Sequence, residues 1–345
     1  MKNLNTAIVI LNWNGEHFLR QFLPVVIACS KGVARIVVAD NNSTDASLTV
    51  LSQFSEDVDV IKLDRNYGFT GGYNRALKLV DASYYVLLNS DVDVTPGWIE
   101  PVISYMEKYS IVAACQPKIR SFHDRHLLEH AGAAGGFIDW LGYPFCRGRL
   151  FLSLEEDDKQ YDAPSEIFWA TGACMFVRSS VFHACDGFDE DFFAHMEEID
   201  LCWRMQMQGY TIMAIPESEV YHVGGGTLPK TSPRKTFYNF RNNLMMMHKN
   251  LPGYQAWLII PFRFILDGLA GVKFMLEGDI KDTFAVIKAH FSFYALLPKR
   301  IKLRKAVQKK MTNQIFKGVY HGSILIAYYL KGVRKFSMLK KEKFS

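Results

Sequence analysis

The chain has 345 residues, 49% of them apolar, which is enough for one large domain with an appendage or for two domains. The net charge of +5 hides a division: residues 1–229 carry 17 Lys/Arg against 30 Asp/Glu, and residues 230–345 carry 23 against 5. Six cysteines (Cys29, Cys115, Cys146, Cys174, Cys185, Cys202) lack CxxC or other metal-type spacing and read as free thiols in a reducing compartment, not as a disulfide framework.

Met1–Asn5 leads into the apolar run Ala7–Leu11, too short for a signal h-region, so the chain is expected to stay in the cytoplasm. Ala7–Leu11, Arg35–Ala39, Val58–Leu63 and Tyr84–Leu88 are near-continuously apolar and predict buried parallel strands. Glu16–Ala28, Asp45–Phe54 and Gly72–Val80 have helical spacing between them, which predicts βαβ units and a doubly wound sheet. Ligands of such sheets sit beyond the carboxyl ends of the strands, where this chain is polar: Asn12-Trp13-Asn14-Gly15, Asp40–Asp45, Asp64-Arg65-Asn66 and Asn89–Asp93. Any one of these is an ordinary turn composition; four at one edge suggest a binding rim.

Asp91-Val92-Asp93 follows the strand-like YYVLLNS. Two carboxylates at i and i+2 can converge on one hard divalent cation, which bridges the oxygens of a diphosphate; the same pair can also cap the helix opened by Pro96. Asp40 can accept the N3–H of a uracil or thymine ring, and Asp45 can cap the next helix. Asn66–Asn74 (NYGFTGGYN) puts glycines where a backbone approaches a ligand or turns before a helix. Residues 121–165, with His123, His126, His130 and the acidic stretch Glu155–Asp158, predict a mobile loop over the site.

Read together, ILNWNG, VVADNNSTD, NYGFTGGYN, LLNSDVDV, TGACMFVRSSVF, GFDEDFFAHMEEIDLCWR and VYHVGGG resemble glycosyltransferase family 2, over roughly residues 5–245. The pattern is nearest to the rhamnosyltransferase-like branch of bacterial surface polysaccharide enzymes. The resemblance implies a GT-A fold: an α/β, Rossmann-like, doubly wound mixed sheet in residues 1–245. A basic, amphipathic helical region, 246–345, would follow. It also implies inverting transfer from a uridine or thymidine diphosphate sugar, dTDP-rhamnose among them, to a hydroxyl of a lipid-linked or polysaccharide acceptor.

The donor would be bound by Asn12, Asn14, Asp40, Asn42, Asn66, Gly68, Phe69, Gly72, Asn74, Asn89 and Asp91. Mn²⁺ or Mg²⁺ would be held by Asp91, Asp93 and His222, the imidazole suiting Mn²⁺ better. A histidine satisfied at a strand end is the other reading of His222. Family members usually have Glu-Asp at the start of the acidic helix, the second residue acting as base; here that residue is Glu198. Asp200 is the second candidate, although it lies about 200° round a helix from Glu198 and is placed to pair with Arg204 at i+4. Trp169, Thr171, Gly172 and Glu197 would face the acceptor, Trp169 and the apolar members of Thr171–Phe176 being equally explained by packing. Gly224–Gly226 would close over the diphosphate, with Arg234, Lys235 and Arg241 near a phosphate.

Segment 254–276 has roughly the length to span a bilayer, but Pro261, Arg263, Asp267 and Lys273 interrupt it, and central charges cost on the order of 3 kcal/mol each. Lying in the interface of an anionic inner membrane face, with Lys/Arg on lipid phosphates, is the cheaper arrangement; the alternative is a helical subdomain with a solvated basic face. No nucleic-acid partner is expected, and a homodimer is left open. The rival functions are a non-catalytic nucleotide-sugar-binding module and a nucleotidyltransferase. The latter usually opens on a basic Gly-rich loop that Asn12–Gly15 lacks.

Overall fold

A computed structural model describes residues 5–129, 132–224 and 232–345. The first half alternates β1 (Thr6–Asn12), α1 (Glu16–Ser30), β2 (Arg35–Asp40), α2 (Ser47–Ser52), β3 (Val58–Lys62), α3 (Gly68–Leu77) and β4 (Tyr84–Leu88). There follow β5 (Val92–Val94), α4 (Glu100–Lys108) and β6 (Val112–Ser121). Parallel pairing joins β3 to β2, β2 to β1 and β1 to β4. β1, β2 and β4 are covered on both faces, which is why they read as apolar runs, while β3 is the partly exposed edge: Ile8 and Ile10 pack with Leu19, Leu23 and Val26 of α1, while Ala7 and Val9 face Tyr73 and Ala76 of α3.

Four short strands follow: β7 (Gly136–Asp139), β8 (Pro144–Cys146), β9 (Arg149–Leu150) and β10 (Ser153–Leu154). The chain then returns to the main sheet through β11 (Ser165–Ile167), β12 (Cys174–Arg178), α5 (Ser179–Ala184), α6 (Glu197–Met207) and β13 (Thr211–His222). Main-sheet order is β11-β13-β6-β12-β4-β1-β2-β3 with β5 on β13, and antiparallel β12 between β4 and β6 makes it mixed. The mobile loop expected over 121–165 is instead this second, ordered sheet. Lys118 and Arg120 of β6 clamp Asp157 (3.0 and 2.8 Å), and buried Glu155 accepts from the Tyr161 hydroxyl (2.9 Å) and the Phe336 N–H (2.8 Å).

Three helices follow: α7 (Pro233–Asn250), α8 (Gly253–Leu276) and α9 (Ile280–Lys309). The boundary expected at 245/246 falls inside α7, which packs along α9. Arg304 and Gln308 of α9 donate to the carbonyls of His248–Leu251 and so satisfy the α7 C-terminus. The helical expectation also stops short of the C-terminus. A last strand, β14 (Val319–Tyr320), pairs in parallel with β7, and Asp139 accepts the Ile324 N–H at 2.9 Å, so the tail completes the second sheet. Among the described residues no helix is long and apolar enough to cross a membrane. All six cysteines are free.

Candidate active site

The carboxyl ends of β1, β2 and β4 carry the expected polar rim. Asn12 Nδ2 donates to Asp40 Oδ1 (3.2 Å) and Ser43 Oγ (3.1 Å), and Asp40 Oδ2 accepts the Ser43 N–H (3.0 Å). Asn14 Oδ1 accepts the Thr44 N–H (2.7 Å), and Asp45 receives the backbone N–H of Glu16 and of Ser47, both at 3.0 Å, tying two helix starts together. Asn14 and Asn42 are exposed with φ of 51° and 62°, a conformation asparagine tolerates. Asp40 is 1% exposed, so its carboxylate holds the rim from beneath and does not stand open to a base; Asn12 Oδ1 is buried without a partner.

In the next turn, Asn41 Nδ2 donates to Asn66 Oδ1 (3.1 Å) and the Gly68 carbonyl (3.0 Å), and Asn66 Oδ1 also accepts the Gly68 N–H (2.8 Å). Gly68 has φ +69°, and a Cβ there would stand 2.6 Å from the Phe193 ring. Several residues expected at the donor hold the scaffold instead. Asn74 donates to the Phe188 carbonyl and accepts its N–H (2.8 and 2.9 Å), and Phe69 packs on Tyr73 and Phe188. Gly72 lets α3 approach Leu11, 2.7 Å from where a Cβ would sit. Asn89 closes β4 with its N–H on the Ala173 carbonyl (3.0 Å).

Asp91 and His222 meet. Oδ1 stands 3.2 Å from Nε2, both side chains are buried, and Glu129 Oε2 lies 3.3 Å from Nδ1. Burial opposes charge at both residues, yet their pairing holds the Asp91 carboxyl below its ordinary range and, with Glu129, raises His222 to about 10. Asp91 Oδ1 and His222 Nε2 are an oxygen and a nitrogen donor of the kind Mn²⁺ accepts, and His222 would have to release its proton to bind one. Asp93 does not join them. It pairs in register with Tyr221 whereas His222 pairs with Val92, so the side chains of Asp93 and His222 leave opposite faces of the β5–β13 ladder. On its face Asp93 binds Arg125 (2.8 Å), which lies 4.2 Å over the Tyr221 ring. Among the described residues no group of three His, Cys, Asp or Glu stands ready to hold a metal. Gly225, Gly226 and His130 lie outside the described residues.

The acidic turn before α6 is strained. Phe193, His195 and Met196 have φ of 65°, 70° and 71°, a conformation costing on the order of 1–3 kcal/mol per residue that persists only where surroundings impose it. Asn242 of α7 imposes it, donating to the carbonyls of Phe192 (3.0 Å), Ala194 (2.8 Å) and His195 (2.8 Å). Arg241, expected at a phosphate, donates to the Asp191 carbonyl (2.8 Å) and so holds the same turn. The Phe193 carbonyl accepts the N–H of Phe69 (2.8 Å) and Thr70 (3.3 Å).

α6 then opens on two carboxyl groups. Glu197 Oε2 and Glu198 Oε2 are buried without partners. Burial, then the Glu198 charge, raises Glu197 far above the carboxylate range; burial pushes Glu198 up to about 7. Asp200 is otherwise committed: it accepts from Arg204 (2.9 Å), Lys249 (2.7 Å) and Asn250 (2.9 Å) and is fully buried, which leaves it no access to a substrate proton. Lys249 and Arg300 both reach Asp189 at 2.7 Å and hold it, against burial, well below the usual carboxylate range.

On the expected acceptor side, Trp169 is core. It is 6% exposed, and its Nε1–H donates to the Phe137 carbonyl (2.9 Å). Thr171 is likewise buried, its N–H on Gln116 Oε1 (3.0 Å). Gly172 is partly exposed above Phe69. Sequence reasoning missed Glu129, Asn242, Lys249 and Arg300; the one signal for Asn242 is a polar Arg-Asn-Asn run inside a helix.

Comparison with known proteins agrees with this architecture. The family model described as Glycosyl transferase family 2 matches residues 7–184. The N-acetylglucosaminyl-diphospho-decaprenol L-rhamnosyltransferase of Mycobacterium tuberculosis is 25% identical over 230 residues, 62% of this chain and 75% of that protein. Among solved structures, S. aureus TarS 1-349 in complex with UDP-GlcNAc has a TM-score of 0.55 at 15% identity, covering 89% of this chain and 87% of that one. The mannosyltransferase PcManGT of Pyrobaculum calidifontis, in complex with GDP-Man and Mn²⁺, has a TM-score of 0.52 at 12% identity over 95% and 86%. With the matching model covering more than half its length, the chain belongs to glycosyl transferase family 2, with the GT-A fold, and is rhamnosyltransferase-like.

Proposed function

We propose that this glycosyltransferase moves a hexosyl or deoxyhexosyl group, rhamnose among them, with inversion, from a uridine or thymidine diphosphate sugar to a hydroxyl of a lipid-linked or polysaccharide acceptor. It would work at the inner face of an anionic membrane. Two features support the reading: Asp91 with His222 at 3.2 Å at the end of β13, and the buried, partnerless Glu198 Oε2 at the start of α6. The relative from M. tuberculosis is named for a lipid diphosphate acceptor and for rhamnose, which supports the acceptor class and the sugar.

The nucleoside would lie on the rim formed by Asn14, Asn42 and Thr44, with Asp40 beneath it and Asn12 Oδ1 accepting from the donor. Asp91 and His222 would hold Mn²⁺ or Mg²⁺, and the cation would supply charge neutralisation to the departing diphosphate. Glu198 takes the proton of the acceptor hydroxyl as that oxygen attacks the anomeric carbon, and the glycosidic electron pair leaves with the diphosphate. A pKa near 7 suits a base working at neutral pH, since enough is ionised and it still binds a proton readily. Glu197, deeper and more strongly protonated, keeps the turn neutral beside it.

A thermal-shift screen of nucleotide sugars with and without Mn²⁺ tests the donor and the cation together. A uridine or thymidine diphosphate sugar at a hundred times its Kd should stabilise the fold by about 2.7 kcal/mol. His222→Ala should remove the Mn²⁺-dependent part of the shift. Stabilisation by guanosine diphosphate sugars alone, or a Mn²⁺ effect untouched by His222→Ala, would sink the reading.

A further inference from the structure

Helix α8 is built inside out. Its charged residues Arg263 and Asp267 are 2% and 1% exposed and face the protein, where Arg263 donates to the Leu141 carbonyl (2.7 Å), lies 3.7 Å over the Tyr143 ring and pairs with Asp267 (3.4 Å). Arg263 therefore does not reach lipid phosphate as expected, and Lys273 pairs with Glu277. The apolar side chains point the other way. Leu258, Phe262, Ile265, Leu269, Val272 and Leu276 are all exposed, recurring at alternate steps of four and three, which is one stripe along the whole helix. On α9, Ile280, Phe284, Ile287, Phe291 and Tyr294 repeat the pattern. Together the two helices hold fifteen of the 26 large apolar side chains exposed among the described residues, far more than scattered exposure produces.

We propose that the outward faces of α8 and the first half of α9 form a hairpin that lies in the plane of an anionic membrane and seats the enzyme on it. An aqueous surface does not suit such a stripe, and neither helix is apolar enough to span. A second copy of the chain is disfavoured by charge. Residues 230–345 carry 23 Lys/Arg against 5 Asp/Glu, and exposed Lys281, Lys288, Lys302 and Lys305 share α9 with the stripe, so a symmetric pairing would bring like charges together. Anionic headgroups complement that charge. Trp257, 84% exposed near the α8 N-terminus, is the aromatic type that settles at the headgroup level. Lys299 and Arg300 of α9 reach Asp191 and Asp189 at 2.5 and 2.7 Å, so the helix that lies on lipid also braces the acidic turn. The placement of a lipid-linked acceptor at that turn rests on the function proposed above; the membrane seat itself does not.

Flotation of the full chain with vesicles tests it, using phosphatidylcholine alone and phosphatidylcholine with phosphatidylglycerol. The chain should float with the anionic vesicles, with a blue shift of Trp257 emission, and release at high salt. The triple variant Leu258→Glu, Leu269→Glu, Leu276→Glu should bind at least about tenfold more weakly while keeping the wild-type melting temperature and donor-induced thermal shift. Unaltered flotation of that variant, equal binding to neutral vesicles, or a lipid-free dimer that the variant dissolves would overturn the proposal. The donor shift is read without lipid, so a chain that floats but ignores every nucleotide sugar overturns the transfer reading alone.

Discussion

Two regions border the site, a set of donor-side turns and one acidic turn, and they are made on opposite terms. The donor-side turns at Asn12–Gly15, Asp40–Asp45 and Asn66–Gly68 are closed nets in which side-chain amides and carboxylates satisfy the neighbouring backbone, Asn12 Oδ1 excepted. The acidic turn at Asp189–Glu198 holds three left-handed residues and two carboxyl oxygens without partners, and helices α7 and α9 keep it in place from outside. A net that satisfies itself makes a platform. A turn held under strain, with two buried carboxyl oxygens lacking partners, suits the base proposed above.

The largest expected effect breaks the reactive side alone. Glu198→Gln should lower kcat by about a thousandfold, as loss of a general base does, while the donor-induced thermal shift persists. Normal turnover would move the base elsewhere. Next is the brace: Lys249→Met leaves Asp189 and Asp200 short of a buried partner and should cost about 3–5 kcal/mol in urea unfolding. An unchanged midpoint would mean that Arg204 and Arg300 suffice.

Protonation sharpens the comparison further. Glu198 sits at about 7 in the fold against 4.5 for the free side chain, so the folded state keeps its proton longer. The stabilisation is full below about pH 4.5 and lost as pH rises through about 7, no more steeply than about 1.4 kcal/mol per pH unit for one proton. Turnover should rise over the same window as the base ionises. Urea unfolding from about pH 5 to 8 should show the decline, and Glu198→Gln should remove its share of it while the buried Glu197 keeps the rest. The smallest effect joins the two turns: Gly68→Ala, at φ +69° and against the Phe193 ring, should cost about 2 kcal/mol and raise the donor KM.

Much of the donor half was legible in the sequence because its physics is local. Buried parallel strands are continuous apolar runs, so β1 to β4 fall within a residue of where those runs predict, and Asp200 meets Arg204 at helical spacing. The rest depends on contacts across long stretches of chain. Nothing local marks Asn242 as the support for residues 192–195, or Lys249 as the partner of Asp189. Strands of two to four residues leave no periodicity, which hid the second sheet. Asp93 reads like Asp91 in the sequence, but strand register sends its side chain to the face opposite His222. In α8 the pattern revealed two faces without saying which one points inward.

One carbonyl ties the platform to the acidic turn: Phe193 O accepts from both Phe69 and Thr70, the first residues of α3 after the glycine turn. Because the two regions share that anchor, a donor that tightened the glycine turn would be expected to settle the acidic one. Such a coupling would be reciprocal, so whatever oriented the proposed base would also improve the grip on the nucleotide sugar. If Glu198 is the base proposed above, sugar activation and acceptor deprotonation would be timed together through this one carbonyl.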